Sequence, residues 1–148
     1  NFEKTSRGFS NYIKTTINTF FKYNPISIEF EEPYQAYNGK CLMMNIANSR
    51  QFGNNAYIAP QASVQDGMLD ISIMSNFPVI AIPTLALQLF TKTIDNDLFM
   101  TTLRTREITL IRDEPGPFHY DGEPYEEGCE IKIKIVPDGL KVRTKKKF

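Results

Sequence analysis

The segment His119-Tyr120-Asp121-Gly122-Glu123-Pro124 sets two carboxylates on either side of a glycine. Gly122 lets the backbone fold sharply between them, and Pro124 restricts Glu123 to an extended conformation, which gives its carboxylate a defined direction. Two carboxylates held close split their pKa values. One stays a charged acceptor while the other orients it or binds a cation. Taken alone, the same residues read more simply as a hairpin turn with its acids in water. A second segment, Pro60-Gln61-Ala62-Ser63-Val64-Gln65-Asp66-Gly67-Met68-Leu69-Asp70, is plainly a loop, an Asp-Gly turn and a strand. It also has a chemical reading. A tight turn can aim the carbonyls of Ser63 and Met68 and the carboxylate of Asp66 at one point. Mg²⁺ accepts such sparse ligation because it keeps several of its waters.

Other chemistries find little support. His119 is the sole histidine, so a nucleophilic triad or a zinc site is hard to build, and a structural or hydrogen-bonding role suits it better. Cys41 and Cys129 lie far apart, without a C-x-x-C spacing, and read as reduced thiols, one of them buried in a strand. The chain has no G-x-x-x-x-G-K-[ST] phosphate loop, no G-x-S-x-G elbow and no H-E-x-x-H. Glu126, Glu127 and Glu130 read as solvated surface acids.

The elements that must carry these segments can be read from periodicity. Phe9, Tyr12, Ile13, Ile17, Phe20 and Phe21 fall on one stripe of a helix that Asn24-Pro25 ends. Ile26 to Phe30 alternates as a strand. Asn38-Gly39 signals a type I′ hairpin turn, leading into one apolar strand over Lys40 to Ala47. A short strand is expected at Ala56 to Ile58. Met68 to Met74 alternates, with Leu69, Ile71 and Ile73 on one face and Asp70 and Ser72 on the other. Pro78 to Thr93 reads as a helix starting properly after Pro83, and the apolar residues Val79, Ile82, Leu85, Leu89 and Phe90 are either core or the lining of an apolar pocket. Strands follow at Arg106 to Arg112, Phe118 to Tyr120, Glu130 to Val136 and Gly139 to Arg143, the last two joined by a turn at Pro137-Asp138-Gly139. Many short strands with tight turns and one or two helices predict a mainly β fold, an antiparallel β-sandwich.

Composition bounds the answer further. The 148 residues suit one domain, and a 41% hydrophobic content with 11 Phe and 7 Tyr supplies a core. Lys and Arg number 17 and Asp and Glu 17, so no global field draws in nucleic acid. The one basic cluster, Arg143 with Lys145-Lys146-Lys147, reads as a solvated tail, the alternative being a weak contact with a membrane surface or phosphate. The sequence has no signal peptide and no apolar run long enough for a membrane span, so the expected location is cytoplasmic. It begins at Asn1-Phe2-Glu3 without a methionine, as a piece of a longer chain would.

In both chemistry-bearing segments the chain resembles the diacylglycerol kinase / sphingosine kinase family, in particular the bacterial lipid kinases. The likeness runs over nearly its whole length. The features come in family order: the helix Arg7-Gly8-Phe9-Ser10-Asn11-Tyr12-Ile13-Lys14, Asn48 and a glycine-containing loop, Ala59-Pro60-Gln61-Ala62 running into Asp66-Gly67-Met68-Leu69-Asp70, the strand with Arg106-Glu107-Ile108, then Asp121-Gly122-Glu123-Pro124 and Val136-Pro137. The resemblance implies that residues 1–148 are the C-terminal, substrate-binding domain of a two-domain enzyme that phosphorylates a lipid hydroxyl, diacylglycerol-like or sphingoid. Glu123 matches the family's proton acceptor, with Asp121 in support. Ser63, Asp66 and Met68 match a Mg²⁺ site away from the base, and a separate Mg²⁺ accompanies ATP, the phosphoryl donor. The implied partners are the lipid, the chain's own N-terminal ATP-binding domain and, transiently, the membrane surface.

Two departures qualify the match. The family's run of glycines after the asparagine reads Phe52-Gly53-Asn54-Asn55 here, and its G-G-D-G-T nucleotide motif is absent. The chain by itself is therefore expected to be inactive. The competing reading is a non-catalytic β-sandwich module that binds lipid or protein. A carboxylate-pair glycosidase lacks a second acid across an aromatic groove.

Overall fold

The computed structural model describes residues 24–141 and residue 143. The helix expected over the first segment, and Lys145 to Lys147, lie outside the described residues. Two antiparallel sheets form the body. The first has four strands in the order β11 (Glu130–Lys134), β8 (Glu107–Arg112), β1 (Ile26–Phe30), β2 (Gly39–Cys41). The second has three, β3 (Met43–Ala47), β6 (Leu69–Met74) and β7 (Met100–Thr105), with β6 central. Two small pairs complete the fold, β4 (Gln51–Gly53) with β5 (Ala56–Tyr57), and β9 (Gly116–Tyr120) with β10 (Glu123–Glu127).

The two large sheets face each other across one core. Ile28, Phe30, Cys41, Ile108, Leu110 and Ile131 from the first meet Ile71, Ile73 and Leu103 from the second. The inward residues of β1 and β8 recur every second position, as a half-buried strand requires. On the outer side of the second sheet lies another apolar cluster. Ala47, Met74 and Met100 pack there with Ile58, Ala59 and Ala62 from the loop and with Leu85 of helix α1 (Ile82–Thr91) and Ile94. Strand β6 is thus covered on both faces, and all six of its residues are buried. The predicted alternation holds, but Asp70 and Ser72 face protein rather than water. Ser72 Oγ settles this by donating to Ile58 O at 3.1 Å.

The architecture is the expected one: antiparallel β layers with one helix among the described residues. Helix α1 begins at Ile82 with Pro83 in its first turn and is preceded by a short 3₁₀ turn at Val79–Ala81. It ends at Lys92 in a left-handed conformation, φ 64°. No described helix is long and apolar enough to cross a membrane.

Three local expectations are corrected. Asn38-Gly39 is not a two-residue turn. β1 and β2 pair with Ile28 opposite Gly39, so residues 31–38 all lie in the connection. Asn38 is extended, with φ −62° and ψ 139°, and its Oδ1 accepts the Phe30 N–H at 2.8 Å. The side chain closes the loop where a turn was expected. The Lys40 to Ala47 run is not one strand, because Leu42 breaks it and donates its N–H to Met74 O, passing the chain from one sheet to the other. Gly139 to Lys141 form no strand; a turn at Pro137-Asp138 is closed by Gly139 N–H to Val136 O.

Candidate functional site

Asp121 and Gly122 are the two loop residues of the β9–β10 hairpin, since Tyr120 pairs directly with Glu123. Both have positive φ, 50° and 92°, as a type I′ turn demands. Asp tolerates this conformation and Gly adopts it freely, which is why the dipeptide folds here. Glu123 is consequently the first residue after the turn, at the tip of the hairpin. Its side chain is exposed and makes no hydrogen bond or ion pair with any described residue, and the same holds for Asp121.

Cross-strand partners share a face. Glu123 is therefore on one side with Phe118, Tyr120, Tyr125 and Glu127, while His119 and Pro124 pair on the other. The first side is aromatic. Phe118 and Tyr120 have ring centroids 4.9 Å apart, and Tyr120 meets Tyr125 edge-on at 5.1 Å. Tyr120 Oη donates to Glu127 Oε1 at 2.7 Å, and this bond raises the Tyr120 pKa above its usual value. The Glu127 acid is thus not simply solvated; it is tied to the aromatic row.

An isolated two-stranded hairpin is marginal in water, and this one shares no strand pairing with either large sheet. Two things hold it. Phe118 packs against the main core. Arg112, at the end of β8, is 9% exposed and sends its guanidinium to four backbone carbonyls at the hairpin's base: Gly116 at 2.8 Å, Pro117 at 3.4 Å, Glu127 at 2.6 Å and Gly128 at 3.1 Å. Sequence reading missed this residue. Its partners are main-chain oxygens, which leave no trace in residue types.

Ser63, Asp66 and Met68 fall in one loop between β5 and β6. Asp66 Oδ1 accepts the Met68 N–H at 3.0 Å, and Ser63 Oγ accepts the Gln65 N–H at 3.3 Å. The other oxygen of Asp66 is paired with the Arg104 guanidinium. Arg104 also reaches Asp70 Oδ1 through Nε at 3.0 Å, bridging the two acids. Asp70 Oδ2 is buried without a hydrogen-bond partner. Burial raises the Asp70 pKa, opposed by Arg104 and assisted by the charge of Asp66. No three His, Cys, Asp or Glu side chains among the described residues group as metal ligands. A cation at Asp66 would therefore have to rely on carbonyls and water, a hard all-oxygen set of the kind Mg²⁺ takes, and would share the carboxylate with Arg104.

The structure does not bring the two segments together. Arg104 and the Asp66 loop sit by the β7–β8 corner, whereas the hairpin leaves from the far end of β8, whose six residues span about 17 Å. A cleft of about 870 Å³ opens beside the Asp66 end, lined by Tyr34, Met68, Arg104, Arg106, Glu107 and Lys132 among others. The apolar set of the helical region divides. Leu85 is buried in the outer cluster and Leu89 packs against it, while Val79 and Phe90 are exposed.

Two "Probable lipid kinase YegS-like" proteins are similar along most of the chain. That of Pseudomonas aeruginosa (strain UCBPP-PA14) is 30% identical over 135 residues, 91% of this chain and 44% of its own length. That of Xanthomonas euvesicatoria pv. vesicatoria (strain 85-10) is 26% identical over 132 residues, 88% of this chain and 42% of its own. The chain thus spans less than half the length of these relatives. Two solved structures from Bacillus anthracis str. Sterne share the fold. A diacylglycerol kinase superposes with a TM-score of 0.53 at 14% identity, over 83% of this chain and 47% of its own. Another superposes with a TM-score of 0.61 at 16% identity, over 78% and 37%. The profile of the YegS C-terminal NAD kinase beta sandwich-like domain matches residues 1–144, and the chain belongs to that family.

Proposed function

We propose that this chain is the substrate-side domain of an ATP-dependent lipid kinase and that Glu123 is its proton acceptor. The observation that carries the reading is the type I′ turn at Asp121-Gly122, which sets a carboxylate without a partner among the described residues at the tip of a hairpin that pairs with neither large sheet. The relatives named lipid kinases supply the reaction class. An alcohol is a poor nucleophile and a carboxylate a weak base, so Glu123 takes the hydroxyl proton late, as the new P–O bond forms. Asp121, two residues away across the turn, supports Glu123 from the other side of Gly122. The aromatic row behind Glu123 gives the lipid's proximal carbons an apolar surface.

The nucleotide half lies elsewhere in a longer chain, and Mg²⁺ bound with ATP offsets charge on the transferring phosphoryl group. Asp66, with the Ser63 and Met68 carbonyls, would hold a second Mg²⁺ away from the base, where the ion would serve the loop's structure rather than the reaction. Contact with the membrane surface is transient, as a water-borne domain acting on lipid requires.

In the full-length kinase, Glu123→Gln should lower kcat by at least about 10²-fold, the low end of what a positioned acid–base group contributes, with an unchanged circular dichroism spectrum. Near-normal turnover of that variant on diacylglycerol and sphingoid substrates sinks the assignment. If the full-length protein phosphorylates no lipid hydroxyl, a binding module is the better description.

A further inference from the structure

We propose that Arg112 is a positioning residue for Glu123, a proposal that rests on Glu123 being the base. The guanidinium carries a charge it cannot release, and burying it is costly unless every donor is met. Among the described residues it is met by no carboxylate. Arg112 spends its side chain on the four carbonyls of residues 116, 117, 127 and 128, and its own N–H goes to Cys129 O at 2.9 Å. These oxygens belong to both strands of the hairpin at their base, just where β9 and β10 leave the body. A planar fork with five donors fixes their relative placement as no apolar contact would.

The consequence is one of leverage. From Gly116 to Tyr120 the strand covers about 13 Å. A tilt of about 5° at the base then moves the tip by about 1 Å, and an error of that size at a reacting group costs on the order of 10²-fold in rate. Phe118 supports only one side of the hairpin. The Tyr120–Glu127 bond lies within the hairpin and cannot orient it against the sheets.

The test uses the full-length kinase with Arg112→Lys, Glu123→Gln and the double variant. Lysine keeps the charge and the stem and loses the fork. The expected result for Arg112→Lys is a kcat lowered about 10- to 100-fold, KM for ATP within about twofold of the parent, and faster amide exchange at residues 116–127 with β1 and β8 unchanged. In the Glu123→Gln background the same change should cost little more, because a residue acting through another shows no separate effect once that other is gone. Unchanged exchange in the hairpin overturns the proposal, as does a kcat loss of the same factor in both backgrounds. Partial unfolding of the variant would speed exchange in β1 and β8 as well, so those strands separate a loosened hairpin from a destabilised fold. Full turnover in Glu123→Gln alone overturns the assignment of the base instead, and exchange then reports the clamp independently.

Discussion

Asp66 holds two partners, an amide on one oxygen and Arg104 on the other. A cation arriving at this carboxylate gains a full charge partner and must displace or share the guanidinium. If Mg²⁺ binds there, adding it at about ten times its Kd should stabilise the protein by about 1.4 kcal/mol through mass action. Thermal melting should show the rise for the parent and none for Asp66→Asn, with NaCl at equal ionic strength as the control. An equal rise in both places the ion elsewhere. A second residue-scale expectation concerns the thiols. Burial raises the Cys41 pKa to about 11, whereas Cys129 is exposed. A thiol reagent should therefore label Cys129 in the native protein and Cys41 only after unfolding. The pH dependence follows with a definite sign. The folded pKa exceeds the unfolded one, so the stabilising contribution is complete below about 8.5 and fades as pH rises towards about 11, with a slope of at most about 1.4 kcal/mol per pH unit. Denaturation of Cys41→Ala across that range should lack this slope.

At the scale of elements, the hairpin pairs with neither large sheet and is held to the body by Arg112 at its base and by Phe118 against the core. Gly122 has φ 92° and open space where a Cβ would stand. An alanine there meets no clash but must hold a backbone conformation that costs roughly 1–2 kcal/mol. That cost falls on an element outside both large sheets. Gly122→Ala should loosen amide protection at the hairpin and depress kcat, while the melting temperature of the sandwich moves little. Melting lowered as much as by a core truncation would show that the hairpin folds as one with the body. The sequence carries several dipeptides of this kind, Asn38-Gly39, Asp66-Gly67, Asp121-Gly122 and Asp138-Gly139, and reading them shows what is and is not legible. Only Asp121-Gly122 has flanking strands in register to use both positive φ values. At Asn38 the side chain, not the backbone, makes the closure. The turn chemistry was visible; which pairs of strands would meet was not.

For the whole molecule, the two faces of β6 explain both successes and misses. Its alternation was readable because Ile71 and Ile73 point into the main core. The burial of Asp70 and Ser72 was not, because their cover comes from distant residues such as Ile58 and Arg104. β7 escaped notice because Thr101, Thr102 and Arg104 dilute its apolar pattern and its buried Thr105 is satisfied by Tyr34 Oη at 2.7 Å. β10 escaped because Glu-Pro-Tyr-Glu-Glu is a poor strand sequence, tolerated only in a pair with open edges. Of the candidate site, the tip residues were legible and the anchor Arg112 was not. Because β6 is central, Ile71→Ala, at a position with no exposure, should cost about 2–5 kcal/mol by urea denaturation. A loss below about 1 kcal/mol would mean that the facing sheets collapse onto the gap.

Strand β11 forms one rim of the four-stranded sheet, and along it Glu130, Lys132 and Lys134 alternate with the inward isoleucines. Lysines on an open rim repel a further strand, because pairing would strip their water and crowd like charges. The opposite rim, β2, offers a template of only three residues. Recruitment of a second copy by strand addition is thus opposed by charge on one side and by brevity on the other. Among the described residues, the rims are guarded against amyloid-like growth by charge and brevity.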